Sequence, residues 1–347
     1  MTSNLTSLAE LGWQPHFQQH LSLEEWDEAI PAKIIEQYRS EVTVATEAEI
    51  FNISLLSSMP ELVVGDWVLL DREHHFLRLL DRKTCFARKA AGTRLKKQLI
   101  SANVDTAFIV SSMNEEFNLN RIERFLSLVN ESGAEPVIVL SKSDLSDSPE
   151  IYTAQIQELD SFLPVQAINS LDPESVTQLI PWIIEGKTIA VLGSSGVGKS
   201  TLVNTLLGEQ RQSTSGIRED DDKGRHTTTR RSLIALDAGG LILDTPGMRE
   251  IQMADSQDGI AATFADIQAC AQQCKFADCQ HQTEPGCAVR EAVQRGDLDQ
   301  RRLDNYLKLI REDALNSASL SERRAKDRAL GKFYKHTLSQ ANQLKGR

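Results

Sequence analysis

Short apolar runs, each closed by turn residues, recur along this chain and sort it into regions of different pattern. From about residue 32 to residue 100 the runs are strand-like: Val42-Thr43-Val44-Ala45-Thr46, Ile50 to Leu56, and Gly65-Asp66-Trp67-Val68-Leu69-Leu70, with tight turns between them. Short strands packed this closely along the sequence predict a small β-barrel of the OB type. Further on, the runs Val104 to Val110, Pro136 to Leu140, Thr188 to Leu192 and Leu241 to Leu243 read as buried strands, while Asn120 to Asn130 and Thr201 to Leu207 read as helices. Buried strands alternating with helices predict an α/β domain. After Ile260 the pattern is helical, closing with a basic helix from Leu320 to Leu338. The segment up to Pro31, with Leu8-Ala9-Glu10-Leu11-Gly12-Trp13 inside it, reads as a partly ordered extension. The expected division is therefore an extension over 1–31, an OB-type barrel over 32–100, an α/β nucleotide domain over 101–256 and a helical domain over 257–347.

Chemistry enters at the end of the Thr188 to Leu192 strand. Gly193-Ser194-Ser195-Gly196-Val197-Gly198-Lys199-Ser200, followed by Thr201, fits the phosphate-loop pattern G-x-x-x-x-G-K-[ST] without a mismatch, between a strand and a helix as that motif requires. Glycines let successive N–H groups and the helix N-terminus face phosphate charge. Lys199 is expected to reach the β- and γ-phosphates, and Ser200 to offer its hydroxyl to Mg²⁺. Forty-five residues after Lys199, the strand Leu241-Ile242-Leu243 ends in Asp244-Thr245-Pro246-Gly247, a D-x-x-G element. Asp244 is expected on Mg²⁺ through water, and the Gly247 amide on the γ-phosphate. Between the two motifs, Gly208 to Arg231 is polar and without periodicity, and its position marks it as switch I. One threonine of Gly224-Arg225-His226-Thr227-Thr228-Thr229 completes the Mg²⁺ shell; Thr228 is favoured, with Thr227 and Thr229 as alternatives.

The base is read elsewhere. Ser141-Lys142-Ser143-Asp144 follows the Pro136 to Leu140 strand and stands for the usual N-K-x-D. Asp144 can accept hydrogen bonds from guanine N1–H and N2–H₂, which adenine lacks, and the Lys142 stem can cover the ring. Ile168-Asn169-Ser170-Leu171 occupies the place of the remaining base-contacting element, with backbone amides around Ser170 as its base contacts. This tetrad precedes the phosphate loop by about fifty residues, the reverse of the ordinary order, so the nucleotide domain is circularly permuted. Met248 stands where a water-orienting glutamine often follows D-x-x-G, so slow intrinsic hydrolysis is expected. His226 is the candidate for that task; the rival reading is a loop histidine without one.

All but one of the five cysteines lie between Cys270 and Cys287. Cys274-x₄-Cys279-x-His281-x₅-Cys287 offers three thiolates and an imidazole within fourteen residues, the donor set of a structural Cys₃His zinc site, one ion per chain. Cys270, one helical turn before Cys274, reads as a spare buried thiol. Neither a signal peptide nor a membrane-length apolar run is found, which fits a reducing, cytoplasmic setting and no membrane partner. A net charge of −11 speaks against nucleic acid, but its distribution speaks for it. Seven basic residues and no acid lie from Arg82 to Lys97, and eight basic residues against two acids from Ser321 to Arg347. Two such clusters flanking a GTPase read as an RNA footprint.

Asn103-Val104-Asp105 after the barrel, the permuted motif order, G-R-H-T-T-T, D-T-P-G and C-x₄-C-x-H-x₅-C together resemble the bacterial ribosome small-subunit-dependent GTPase A family. The resemblance covers nearly all of the chain after about residue 32. It implies an OB domain, a circularly permuted P-loop GTPase domain and a C-terminal helical zinc domain. It implies a GTP/GDP-binding protein, expected as a monomer, that binds the small (30S) ribosomal subunit and its rRNA late in maturation and hydrolyses GTP under that subunit's stimulation. The rival from another class is an RNA-binding adaptor that holds nucleotide and scarcely hydrolyses it.

Overall fold

The computed structural model describes residues 7–89, 97–208, 231–244 and 256–317. Its barrel is organised by one long, bent strand, β1 (Ile30–Gln37), which begins two residues before the expected boundary. A register shift between Ile34 and Glu36 bends β1, so it pairs antiparallel with β2 (Glu41–Ala45) on one side and β4 (Trp67–Leu70) on the other. Bulged central strands close small barrels in this way. β3 (Ile50–Ser54) extends β2 and β5 (Phe76–Leu79) extends β4. A separate hairpin, β6 (Cys85–Lys89) with β7 (Lys97–Ala102), leads out of the barrel.

The N-terminal segment departs from expectation. From Ser7 onward it is packed structure, not a partly ordered extension. Helix α1 (Pro15–Gln18) and the capped helix α2 (Leu23–Glu28) lie on the barrel. Leu11 and Phe17 are buried with Ile35, Trp67, Leu69 and Leu80, and Trp13 meets Trp67 edge-on at 4.8 Å. Beneath them lies Lys33, 1% exposed, whose Nζ donates to the Leu11 carbonyl at 2.7 Å and to Thr188 Oγ1 at 3.0 Å. Burial pushes this ammonium down to about 8, against the pull of Asp105. Asp105 accepts from the Thr188 N–H, from Gln14 and from Lys83 and Lys187; burial opposes its ionisation, and these donors still hold it below the ordinary carboxylate range. Leader, barrel and nucleotide domain thus meet at one polar knot in an apolar surround.

The nucleotide domain contributes β8 (Thr106–Ser112), α3 (Leu119–Ser132), β9 (Glu135–Ser141), α4 (Pro149–Gln157), β10 (Val165–Ala167), α5 (Pro173–Val176), β11 (Thr188–Gly193), α6 (Lys199–Leu207), β12 (Arg231–Ala235) and β13 (Leu241–Asp244). Their order across the sheet is β10-β9-β8-β11-β13-β12, parallel except for β12. The phosphate-loop strand β11 therefore sits mid-sheet although it is fourth in sequence. The sheet does not stop at β12, which pairs antiparallel with barrel strand β1. One eleven-stranded sheet runs through both domains.

The C-terminal lobe consists of α7 (Gln257–Thr263), α8 (Ala265–Ala271), α9 (Ala288–Arg295) and α10 (Gln300–Ser317). It docks on α3. At Gly259 the helices cross so closely that a Cβ would lie 2.1 Å from the Ser127 carbonyl. Ile260, Phe264 and Leu303 share a core with Ile122, Leu126 and Val129. Within the contact sits Glu123, fully buried, accepting from Arg301 (2.9 and 3.1 Å), Arg302 (2.8 Å) and Asn305 (2.5 Å). Arg302 also grips Asp266 and lies over the Phe264 ring. Removing one partner from such a buried set costs about 3–5 kcal/mol. The basic helix expected from Leu320 to Leu338 lies outside the described residues.

Candidate nucleotide and metal sites

The parallel strands end at one edge of the sheet, where open α/β sheets collect ligands. At that edge β11 passes into the phosphate loop. Gly193 has φ +143°, and a Cβ there would lie 2.4 Å from the Val110 carbonyl, so only glycine lets the loop lie against β8. Gly196, Val197 and Gly198 carry the loop to α6. No side chain caps α6, which leaves its first-turn N–H groups directed at the loop, the arrangement that binds anions. Lys199 is buried and donates to the Ser194 carbonyl, so its ammonium already lies within the loop. Ser195 is exposed; Ser194, Ser200 and Thr201 are half-buried at the same place.

Ser141 proves to be a brace between base side and phosphate side. Its fully buried hydroxyl donates to the Val197 carbonyl at 2.5 Å, joining the end of β9 to the phosphate loop. Lys142 follows with φ +61°, turning the chain into a short 3₁₀ turn over Ser143–Leu145, and the exposed Asp144 sits in that turn. The Ser143 N–H donates to the Ile168 carbonyl, which ties this turn to the segment carrying Ser170. Ser170 is 5% exposed, and its Oγ is a buried polar atom without a protein partner, beside Gly198. Thr205 of α6 donates to the Ser170 carbonyl at 2.7 Å. Lys142, Asp144, Ser170, the phosphate loop and Lys199 are thus gathered at one edge. Asp244 ends β13, two strands from β8 across β11. His226, Thr228 with its neighbours Thr227 and Thr229, and Gly247 lie outside the described residues.

The second cluster lies in the C-terminal lobe. One donor atom each from Cys274, Cys279, His281 and Cys287 falls within 4.8 Å of the others. Cys274 Sγ stands 4.0 Å from Cys287 Sγ, and His281 Nδ1 stands 3.6 and 3.5 Å from those two sulfurs. Tetrahedral ligands at the usual Zn–S distance are about 3.8 Å apart, so the donor set fits zinc. Burial opposes ionisation of Cys274, but the Val289 and Ala288 N–H groups at the start of α9 bring its thiol below the ordinary range. Burial, with the neighbouring thiols adding to it, pushes Cys279 up to about 11. Three thiols this close ionise together only around a cation. Glu284, unnoticed in the sequence beyond its part in a turn, accepts the N–H groups of Gln280, Gln282 and Thr283; these bonds hold its carboxyl down at about 2 and fix the loop that presents His281. Cys270 is half-buried beside the same core and outside the four-donor group.

The basic stretch from Arg82 is partly spent inside the fold. Arg82 forms a two-pronged pair with buried Asp66 at 2.7 and 2.8 Å, and Lys83 lies 3.4 Å from Asp105. Arg82 leaves the expected RNA footprint; Lys83 is paired but stays 42% exposed, and Arg88, on β6, is held by Gln98. Arg94 and Lys96 lie outside the described residues.

A phosphate loop at mid-sheet, reached after the base-reading turn in a permuted order and joined to a barrel and a Cys₃His lobe, defines a circularly permuted P-loop GTPase. The RsgA GTPase family model matches residues 79–254. The ABC transporter model matches residues 182–343, a span that opens on the strand, phosphate loop and helix common to P-loop proteins. The small ribosomal subunit biogenesis GTPase RsgA 2 of Vibrio parahaemolyticus is 53% identical, over 98% of this chain and 95% of its own. Among solved structures, YjeQ from Thermotoga maritima matches with a TM-score of 0.60 at 28% identity, over 82% of this chain and 98% of that one. YloQ, a circularly permuted GTPase, shares the fold with a TM-score of 0.60 at 24% identity, over 86% of this chain and 99% of its own. The chain belongs to the RsgA GTPase family.

Proposed function

We propose that this GTPase acts on the small ribosomal subunit late in its maturation, binding rRNA through its barrel and C-terminal lobe, and that the subunit triggers hydrolysis. What carries the reading is the sheet that runs unbroken from phosphate loop to barrel, because it sets a second binding surface in register with the nucleotide. The Vibrio relative, named for small-subunit biogenesis, supplies the partner. In this reading the protein is a cytoplasmic monomer; among the described residues no helix is long and apolar enough to cross a membrane. Its working units are the leader, the barrel, the permuted GTPase domain over 101–256 and the C-terminal lobe.

Asp144 reads the guanine edge, Lys142 covers the ring, and backbone amides around Ser170 contact the base. The loop amides from Gly193 to Thr201 hold the phosphates, and Lys199 pairs with the β- and γ-oxygens. Ser200, Asp244 and Thr228 hold Mg²⁺, which when bound neutralises charge building on those oxygens. The Gly247 amide meets the γ-phosphate, and His226 orients the attacking water once the subunit fixes switch I. Cys274, Cys279, His281 and Cys287 hold one zinc ion as a fold element. GTP turnover measured with and without purified small subunits, with Lys199→Ala as blank, tests the reading. Strong stimulation by small but not large subunits, lost in His226→Ala, is expected. Slow turnover in both conditions with nucleotide binding intact would overturn it in favour of an adaptor.

A further inference from the structure

Strand β12 is the joint between nucleotide site and barrel. On one side Ser232 stands opposite Asp244 of β13; on the other, Ser232 stands opposite Glu36 and Arg231 opposite Gln37 of β1. The carboxylate assigned to magnesium is therefore two ladder steps from the barrel, about 10 Å at ordinary strand spacing. Arg231 adds a second tie. Its Nη1 donates to the Leu99 carbonyl at 3.0 Å, the Ile100 carbonyl at 3.2 Å and Gln37 Oε1 at 3.3 Å. Leu99 and Ile100 belong to β7, so a single guanidinium stitches β12 to both the barrel and the β6–β7 hairpin.

That hairpin is built to meet negative charge. Arg88 lies on β6, and the register sets Lys89 opposite Lys97. Burial, and after it the nearby Arg88, lower the affinity of Arg231 for its proton, while Glu61 opposes them.

We propose that Arg231 is a positioning residue that couples polyanion binding on the β6–β7 hairpin to the Asp244 side of the nucleotide site. The inference rests on the proposed function for the identity of the polyanion, rRNA. Coupling of this kind is reciprocal: nucleotide state sets RNA affinity by the factor through which RNA sets nucleotide affinity.

The test compares wild type, Arg231→Ala and Arg231→Lys, each with GDP and with a slowly hydrolysed GTP analogue. The first readout is amide hydrogen exchange at Leu99 and Ile100 in the full-length protein without subunits. The second is small-subunit Kd and the subunit-stimulated turnover. In Arg231→Ala, read against its own nucleotide affinity and unstimulated turnover, the exchange difference between nucleotides is expected to disappear and stimulation to drop by about tenfold, within the usual span of coupling energies. Arg231→Lys, which keeps three donors, restores most of both, as a merely structural defect would not. An alanine variant that keeps the wild-type nucleotide dependence overturns the proposal. A wild type indifferent to small subunits would sink the proposed function, and the subunit-free exchange would still decide the coupling. If Arg231→Ala fails to fold, Gln37→Ala removes one acceptor of the guanidinium together with the Gln37 bond to the Leu62 carbonyl: partial loss of the nucleotide-dependent exchange difference at Leu99 and Ile100 supports the coupling, and full retention overturns it.

Discussion

Replacing Ser141 by alanine deletes one hydroxyl and strands one carbonyl, that of Val197 in the phosphate loop. The site is fully buried, so water does not substitute for the lost donor. An unsatisfied buried carbonyl costs about 1–3 kcal/mol. Part of this is recovered in the empty protein, where the loop relaxes toward solvent; bound nucleotide holds the loop in place and the cost is felt there. A net loss of about 1–2 kcal/mol means nucleotide affinity weakened by about 5- to 30-fold. GDP and GTP should weaken together, since Val197 belongs to the loop that the proposed function sets against the phosphates common to both. Preference for guanine over adenine should hold, because the proposed function assigns it to Asp144. Equilibrium titration with a fluorescent GDP, with ADP as competitor, measures both quantities. Ser141→Cys, with a weak S–H donor in similar volume, should fall between. An alanine variant that differs from wild type by less than about 0.5 kcal/mol would show that the hydroxyl braces nothing.

Purified protein should carry one zinc per chain by elemental analysis, and a strong chelator or Cys287→Ser should release protection of the Gln280–Thr283 amides and lower the melting temperature. Metal-free protein with an unchanged melt on chelation would refute the assignment. Lys33 gives a pH signature. Its folded pKa of about 8 lies below the ordinary 10.5, so between those values the unfolded chain binds a proton that the native state lacks, and stability rises with pH. Relative to Lys33→Met, wild type should gain about 1.4 kcal/mol per pH unit from pH 8 to pH 10 in urea denaturation, with no pH-dependent difference below pH 7. A flat difference across that range would mean the ammonium is not buried.

The chemistry was legible because it is local. The phosphate loop, the K-x-D turn and the cysteine cluster each put their donors within a few residues, and strand or helix context follows from adjacent apolar runs. What escaped notice depends on distance. Between Ser7 and Gln18 the leader carries only Leu8, Leu11, Trp13 and Phe17 as large apolar anchors, too few for a periodic signal, and its order comes from Lys33 just beyond it and Trp67 far along the chain. Glu123 lies in an amphipathic helix where an acid normally faces water; its burial is set by Arg301 and Arg302, more than 170 residues on. Arg82 and Lys83 looked like free charge because their acids, Asp66 and Asp105, lie outside the basic run. Ser141 looked like the loss of an asparagine; only the approach of the phosphate loop to β9 reveals a hydroxyl as a sufficient strut.

Pairing between Gln37 and Arg231 has a consequence for how the molecule is made. The end of β1 leaves the ribosome early and its partner strand follows 194 residues later (231 minus 37), a delay of about 10 to 40 s at usual elongation rates. During that time Glu36 and Gln37 present an open strand edge, the kind of surface that recruits other nascent chains. The polar character of those two residues, and the bulge just before them, are the features that keep such an edge from sticking. A protein read here as a late inspector of ribosomes must itself wait, half-finished, on one.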